Sequence, residues 1–365
     1  MRRFFQFLLV KPVLWMANRF SSKPDLQRVH AALSKLLQHI VENPGKKGLV
    51  LNIDQFVHKK FIIFSDHHKG AKNGADDFRN AEDNYLRALD YYYSKDFCYV
   101  SLGDCEELWE NLLTPVKKNN QSTIEKEKLF LNRGAYIKIF GNHDVFWNND
   151  PLADWQLKRM YGSAIKIYEG LILMKRIKER DITIFLTHGH QGDGQSDGNK
   201  FSAWFVSRIW GPLQSYLQLN PNTPAYDAHL KTEHNHFMYE WSAKQKNLLL
   251  VTGHTHQPVF ESLTHLERLY RQLLAARESK NEKAITELEE QIRFRRKEYD
   301  HIATDYLNMK PTYFNTGCCC FTDGDITGIE IEGNDIRLVK WLYANGASVR
   351  RVLEQINLGE LAERI

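Results

Sequence analysis

The sequence predicts an α/β fold, and three observations support that prediction. Short apolar runs rich in β-branched and aromatic residues recur along the chain, each about as long as a buried strand. They cover residues 61–64, 97–100, 136–140, 182–186 and 248–251. Helical stretches such as 75–93 lie between them, and Asp66, Asp104 and Asn142 follow one another at intervals of 38 residues, which suits β-α-β units.

Each apolar run is followed by a block of carboxylate, amide or imidazole side chains. The blocks are Asp66-His67-His68, Gly103-Asp104, Gly141-Asn142-His143-Asp144, Thr187-His188-Gly189-His190 and Gly253-His254-Thr255-His256. Taken singly they are weak signals, since an Asp after a strand is often a helix cap and a lone His is usually solvated. Strands of an open α/β sheet end along one edge, where such folds place their sites. The five blocks together therefore predict a metal centre.

The blocks resemble the calcineurin-like metallophosphoesterase superfamily, whose signature runs D-x-H, G-D-x-x-D/E, G-N-H-D/E, H and G-H-x-H. This sequence matches each element in order, and Glu107 fills the acidic position after Asp104. The resemblance covers residues 60–341, with two regions that look inserted. It implies a calcineurin-like four-layer α/β/β/α sandwich of two mixed sheets, with a helical lid and a helical hairpin as insertions.

The resemblance also implies a set of metal ligands. Asp104 would bridge two divalent ions, with Asp66, His68 and His256 at the first and Asn142, His188 and His254 at the second. Imidazole together with carboxylate and amide oxygen suits Mn, Fe or Zn better than Ca or Mg. We prefer His188 to His190 as a ligand because it directly follows the strand. Whether His190 or His67 contributes to the site stays open.

Two further residues match the superfamily's acid–base machinery. His143, beside Asn142, corresponds to the catalytic histidine that protonates the leaving oxygen or stabilises the charge developing there. Glu107 corresponds to the acid that orients this histidine. The implied reaction is hydrolysis of a phosphoester or pyrophosphate bond by attack of a metal-bridging hydroxide.

The chain divides into three predicted parts: a helical region at 1–56, a metallophosphoesterase domain at 57–345 and a C-terminal helix at 346–365. The first part holds an amphipathic helix at 25–41. Residues 1–20 combine Phe and Trp with basic residues, which suits either a helix in the membrane interface or a terminal helix packed on the domain. Late strands are expected at 313–315, 328–332 and 335–341, the last two joined by a hairpin.

Two insertions interrupt the domain. Residues 195–247 are rich in aromatic side chains, which fits a lid over the metals or the core of a small helical insertion. Residues 262–305 are charged, with apolar residues at helical spacing, and predict a helical hairpin; whether it binds a partner is open. The run Cys318-Cys319-Cys320 resembles a loop of the superfamily, and its thiols are expected to pack as small hydrophobes.

The amino-acid composition limits which binding partners and which cellular compartment are expected. The net charge is +4 and acids nearly balance bases, so there is no strong nucleic-acid signal, and a nuclease ranks third among the functions. The five cysteines fit reduced thiols in a cytoplasmic protein, with peripheral contact at the inner face of the membrane if residues 1–20 bind lipid.

The sequence indicates less about the substrate than about the fold or the metal ligands. The closest local resemblance is to UDP-2,3-diacylglucosamine pyrophosphatase-like members, through Glu107-Leu108-Trp109 and the aromatic insertion, which favours a lipid-linked nucleotide. His143 departs from that group, which has arginine there. The alternatives are a phosphorylated small molecule, a phosphoprotein cleaved by a serine/threonine-protein-phosphatase-like activity, a cyclic nucleotide cleaved by a phosphodiesterase, and a non-catalytic scaffold.

Overall fold

A computed structural model of the chain describes residues 25–72, 76–109, 111–192, 228–295 and 308–365. Its strands are β1 Gly48–Asn52, β2 Lys60–Phe64, β3 Cys98–Leu102, β4 Tyr136–Ile139, β5 Ile167–Tyr168, β6 Gly170–Ile177, β7 Arg180–Thr187, β8 Leu248–Thr252, β9 Val259–Phe260, β10 Leu263–Thr264, β11 Tyr313–Asn315, β12 Ile326–Glu332, β13 Asp335–Ala344 and β14 Ala347–Asn357. Its helices are α1 Leu26–Glu42, α2 Glu82–Ser94, α3 Leu113–Asn119, α4 Gln121–Asn132, α5 Phe146–Asn149, α6 Ala153–Tyr161, α7 Ala228–Ala243, α8 His265–Glu278, α9 Glu282–Arg295 and α10 Leu358–Arg364, with a short 3₁₀ helix at Asp77–Asn80.

These strands form two mixed sheets of seven strands each. The first runs β1-β6-β7-β8-β11-β9-β10, and the second runs β14-β13-β12-β2-β3-β4-β5. In the second sheet β2, β3, β4 and β5 are parallel to their neighbours, whereas β12 joins β2 antiparallel. In the first, β7, β8 and β11 are parallel. The parallel strands therefore end along common edges.

Three hydrophobic clusters divide the molecule into layers. The cluster between the sheets joins side chains of both, such as Val100 from β3 and Leu186 from β7. A second cluster, with Phe64 and Tyr85, packs α2 and α4 against the outer face of the second sheet. A third packs α1 and α7 on the outer face of the first sheet. The predicted four-layer α/β/β/α sandwich of two mixed sheets is confirmed.

The central strands explain why short apolar runs signalled the fold. Every residue of β3 and β4 is buried, which is typical of parallel strands covered on both faces. Lys138 in β4 is the one charged residue of these two strands. Its ammonium group lies 2.9 Å from Glu106, and Lys69 lies 2.7 Å from Glu127, in a buried ion-pair network beneath the loop that follows β3. Paired charges of this kind tolerate burial.

The predicted helix at 346–365 is wrong for most of its length. Residues 347–357 form β14, which pairs antiparallel with β13, and only Leu358–Arg364 is helical. Asn345 and Gly346 join the two strands, and both have positive φ, 51° and 80°. A two-residue Asn-Gly loop of this kind matches the twist of paired strands and is a strong hairpin signal. The Asn345-Gly346 pair is therefore the feature of the sequence that specifies this hairpin.

The N-terminal region is not purely helical. The amphipathic helix predicted at 25–41 is α1, capped by Asp25, but the following β1 pairs with β6 as part of the first sheet. Residues 1–20, with their predicted membrane contact, lie outside the described residues. None of the helices among the residues that the structure describes is long and apolar enough to cross a membrane.

The two insertions are described in part. Residues 195–227 lie outside the described chain, so the predicted lid stays a prediction there. Trp241 of α7 packs in the outer cluster with α1. The predicted hairpin at 262–305 is confirmed as α8 and α9, which pack through Leu266, Leu269 and Ile292; its last part, 296–305, lies outside the described residues.

The burial of α1 yields a stability prediction. Leu33 is fully buried in the outer cluster, so Leu33→Ala should lower the free energy of unfolding by about 2–5 kcal/mol through lost burial and an unfilled cavity. Lys35 on the exposed face is the matched control, and Lys35→Ala should change it by less than about 0.5 kcal/mol. Chemical denaturation measures both; equal effects would mean that α1 is not part of the folded core.

Candidate metal centre

The ends of β2, β3, β4, β7 and β8 bring the five polar blocks together. Asp104 lies near the middle of the cluster: its Oδ2 is 3.1 Å from Nε2 of His188 and 3.9 Å from Nε2 of His68. Asp66 lies beside it, with Oδ1 3.3 Å from Nε2 of His256 and 3.9 Å from Nε2 of His188. Side chains up to 190 residues apart in sequence therefore share one site.

Ligand-type atoms fall into overlapping groups whose members lie within 4.8 Å of one another. Asp104, His188 and His254 form one group, and His68, Asp104 and His143 form a second. A third combines His68, His256 and Cys320. Asp104 belongs to two groups, which is the placement that a carboxylate bridging two ions would need.

Several buried polar atoms of the cluster lack a hydrogen-bond partner among the described residues. They are Oδ1 of Asn142, Nε2 of His188 and Nε2 of His254. His188 Nε2 faces the Asp104 carboxylate at ion-pair distance, but the two do not have hydrogen-bonding geometry. Buried polar atoms are normally satisfied, and an amide oxygen and imidazole nitrogens converging on carboxylates are suitable donors to a divalent transition ion. The residues thus fit a metal centre.

The backbone at these positions is strained. Asp66, His68, Asp104, His254 and His256 all have positive φ, between 50° and 72°. This left-handed region is uncommon for residues with a Cβ, and such outliers cluster at functional sites, where the surrounding structure holds them. Five of the seven predicted ligands share this conformation, so the fold accepts a local cost to aim their side chains inward.

Glycines make the close approach of the blocks feasible. A Cβ on Gly141 would overlap Oδ1 of Asp104, one on Gly103 would overlap the ring of His188, and one on Gly253 would overlap Oδ2 of Asp66. The lack of space for a Cβ therefore explains the glycine at each of these three positions. Asp144 completes the arrangement, because it accepts hydrogen bonds from the backbone N–H groups of Gly141 and Cys105, at 2.6 and 2.9 Å.

Glu107 connects two imidazoles. Its Oε2 lies 2.7 Å from Nδ1 of His143 and 2.8 Å from Nδ1 of His68, so both rings can donate to one carboxylate. Burial acts to raise the pKa of Glu107, but His143 and His68 outweigh it and lower the pKa to about 2. Glu107 is therefore ionised, and it fixes the orientation of both rings.

The electrostatics favour the ligand forms of Asp66, Asp104 and His254. Burial acts to raise the pKa of Asp104, yet His188 and His143 outweigh it and hold that pKa well below its usual range. The pKa of Asp66 is lowered by His188 and His256 in the same way. Burial lowers the pKa of His254 well below its usual value, so this ring is neutral. Carboxylates and neutral imidazoles are the forms that bind metals. At His68, His188 and His256 the neighbouring carboxylates outweigh burial and raise the pKa, to about 10, 9 and 9, so a metal binding there would displace a proton.

His143 is the most open of the Glu107–His143–His68 group, with 16% of its side chain exposed. Its backbone N–H donates to Oδ1 of Asp104 at 2.8 Å, and its ring stacks on Trp109 with centroids 4.3 Å apart. Glu107 and Trp109 thus hold the imidazole, and Asp104 holds its backbone, at the more exposed side of this group. Sequence motifs pointed to His143 and Glu107 but not to the stacking of Trp109.

The two histidines left open by the sequence lie in different places. His67 faces away from the cluster, with Nε2 3.0 Å from the Tyr99 hydroxyl, among buried aromatic rings. His190 is buried behind His188, with ring centroids 5.4 Å apart, and among the described residues it belongs to none of the ligand-type groups. Burial and His188 lower the pKa of His190 to about 3.

Sequence reasoning missed His234 and the position of Cys320. The ring of His234 lies 5.1 Å from that of His254, and its Nε2 is 2.7 Å from the carbonyl oxygen of Gly189. It belongs to α7, where no motif marks it. Cys320 lies in the expected loop after β11. Three consecutive cysteines do not have the spacing of a metal-binding motif, so the sequence predicts only that they pack as small hydrophobes.

Among family models, curated proteins and solved structures, only solved structures match this chain. No family model and no curated protein matches the chain. Solved structures that match include Vacuolar Protein Sorting 29 from Cryptosporidium parvum, at 13% identity and a TM-score of 0.31, covering 82% of this chain and 97% of that one. A conserved uncharacterized protein from Streptococcus pneumoniae TIGR4, described as a predicted phosphoesterase, matches at 11% identity and 0.26, covering 80% and 97%. A dimetal phosphatase from Danio rerio matches at 9% identity and 0.31, covering 82% and 98%. Superpositions with scores this low carry no inference about activity.

The cluster yields a prediction about metal content. After reconstitution with Mn, Fe or Zn, the protein should hold about two ions per chain, as expected for a binuclear site. Asp104→Ala should lose most of this metal, and His68→Ala should lose part of it. His67→Ala is the matched control, because its ring faces away, and it should retain both ions. Elemental analysis measures the content; a wild-type value of one ion or fewer that Asp104→Ala leaves unchanged would contradict the binuclear site.

Proposed function

We propose that the protein is a metal-dependent hydrolase that cleaves a phosphoester or pyrophosphate bond. The observation that carries the proposal is the Glu107–His143 pair, which lies directly against the carboxylates and imidazoles of the candidate metal centre. An acid–base pair beside a ligand cluster can protonate the leaving oxygen and so accelerate hydrolysis at phosphorus. When bound, two divalent ions would neutralise phosphoryl oxygens and lower the pKa of a water at the site.

The residues that would hold the ions fall into two sets around Asp104. Asp66, His68 and His256 form one set, and Asn142, His188 and His254 form the other. The outer ring nitrogens of two of these histidines are already partnered, His68 by Glu107 and His188 by the carbonyl oxygen of Leu102 at 2.9 Å. Such partners fix the tautomer of a ligand histidine and raise its affinity for metal.

His143 would act on the leaving group. Ionised Glu107 accepts the Nδ1–H of His143, which leaves Nε2 as the ring nitrogen that can donate a proton to the departing oxygen. Trp109 covers one face of the ring and restricts its rotation. Asp104 accepts from the His143 backbone, which ties the acid to the ligand cluster at 2.8 Å. The donor is therefore fixed relative to the phosphorus that the centre would bind.

For the substrate we propose a lipid-linked nucleotide of the UDP-2,3-diacylglucosamine type. The support is the Trp109 ring at the mouth of the site, which provides an apolar wall, together with the aromatic-rich residues 195–247. We further propose a cytoplasmic protein that contacts the membrane through residues 1–20. Liposome co-sedimentation of the full chain and of a chain lacking residues 1–20 tests that contact, and equal sedimentation would refute it.

A hydrolysis screen tests the function and separates the alternatives. The metal-loaded protein is assayed with mono-aryl and bis-aryl phosphates, UDP-2,3-diacylglucosamine, cyclic nucleotides and phosphopeptides. Turnover of the aryl esters establishes the hydrolase, and the preferred natural compound distinguishes pyrophosphatase, phosphodiesterase and protein phosphatase. A protein that binds both ions but turns over none of these substrates would favour the scaffold alternative.

His143→Ala should lower kcat by about 10²–10⁴-fold for an alkyl ester while the metal content stays unchanged. An aryl ester with a low-pKa leaving group should lose much less, because it needs little protonation. Steady-state kinetics with the two esters measure the difference. An equal loss for both esters would rule out the general-acid role of His143.

Glu107→Gln provides a matched comparison, because Glu107 contacts both His143 and the ligand His68. It should lower kcat as His143→Ala does, to a smaller extent, and it should also weaken metal binding by roughly 10–100-fold. In combination with His143→Ala, its effect on kcat at saturating metal should largely disappear, since both changes remove the same proton donor. Full additivity of the two effects would show that they act separately.

A further inference from the structure

We propose that Cys320 is the positioning residue for His256 at the metal centre. The inference rests on the proposed metal centre and adds a sulfur group to its surroundings. The other ring nitrogens of His68 and His188 meet oxygen acceptors, Glu107 and the Leu102 carbonyl. His256 meets a thiol instead, since Sγ of Cys320 lies 3.8 Å from its Nδ1.

The orientation of the His256 ring supports positioning over direct ligation. Its Nε2 points into the site, 3.3 Å from Oδ1 of Asp66 and 3.1 Å from Nε2 of His68. Its Nδ1 points outward to Sγ of Cys320. A ligand histidine commonly donates its outer N–H to a fixed partner, and here that partner is sulfur.

The loop that carries the thiols is fixed to the same strand end as the ligands. The backbone N–H of Cys319 donates to the carbonyl oxygen of Asp66 at 3.1 Å, and the hydroxyls of Ser65 and Thr316 lie 2.6 Å apart. The N–H of Thr327 donates to the carbonyl oxygen of Cys318 at 3.0 Å. These ties hold the thiols in register with His256, so the sulfur contact does not depend on a free loop.

The three consecutive cysteines face two directions. Cys320 lies against His256, and Cys318 and Cys320 are both buried, at 1% and 7% exposed. Cys319 packs instead in the aromatic cluster with Phe64 and Phe78. The sequence expectation that all three pack as small hydrophobes therefore does not describe Cys320. Cys319 is also a control of the same chemistry one residue away.

The experiment measures the affinity of both ions by competition with a chromophoric chelator, using full-length protein under anaerobic, reducing conditions. Cys320→Ala should weaken one of the two ions by roughly 10–100-fold, as loss of an outer-shell partner does. Cys320→Ser should recover most of that affinity, because a hydroxyl can accept the Nδ1–H. Cys319→Ala should leave both affinities unchanged. If Cys320→Ala fails to fold by circular dichroism, Cys320→Val makes the same comparison with the volume retained.

Cobalt spectra separate the remaining outcomes. Co(II)-loaded wild type should show visible d–d bands and no sulfur-to-cobalt charge-transfer band in the near ultraviolet. A charge-transfer band that Cys320→Ser abolishes would overturn positioning in favour of direct sulfur ligation. Equal affinities for Cys320→Ala and Cys319→Ala would also overturn it. A wild-type protein without d–d bands and without measurable affinity would instead refute the metal centre on which the inference rests.

Discussion

Two buried carboxylates, Asp66 and Asp104, are the constraint on which the site depends. Each lies at the end of a parallel strand, almost fully removed from water, and each is surrounded by imidazoles rather than by Lys or Arg. An ionised carboxylate in such a place needs positive charge close by. The five strand ends, the glycines and Asp144 all act to bring that pair and its histidines within a few ångströms.

This arrangement has an energetic cost, which lies in the backbone conformation. Five ligand-type residues adopt left-handed φ values that the local sequence does not favour, and the strands and glycines around them hold them there. Beneath the β3 loop, the buried network of Lys69, Glu106 and Lys138 fixes the segment from which Asp104 and Glu107 project. The packed sheets and the buried ion pairs therefore provide the stability. The strained polar residues at the strand ends are the part that can carry out chemistry.

Much of the fold could be predicted because its central strands are apolar on both faces and short. The five strands before the polar blocks could be predicted from their short apolar runs, and helix α1 and the hairpin of α8 and α9 from apolar residues at helical spacing. The strand β14 was missed because its residues are mostly exposed and carry no clear alternation; only the Asn345-Gly346 loop marked it. The pairing of β1 with β6 depends on contacts about 120 residues apart, which no local pattern contains.

For the site, motif spacing could predict which residues meet but not how they are arranged. Glu107 joining His68 and His143, Trp109 stacked on His143, and Cys320 against His256 are relations between loops, fixed only when the sheets pack. Proximity in sequence is also not sufficient. His67 lies next to a ligand-type residue in sequence, yet its ring faces the opposite side of the strand end.

The binuclear centre is tested most directly by anomalous diffraction from crystals of the metal-loaded protein, recorded on both sides of the absorption edge of the metal. We expect two peaks about 3.5–4 Å apart, one on each side of Asp104. One peak should lie near Asp66 and His256, and the other near Asn142 and His254. A single peak, or peaks away from Asp104, would contradict it.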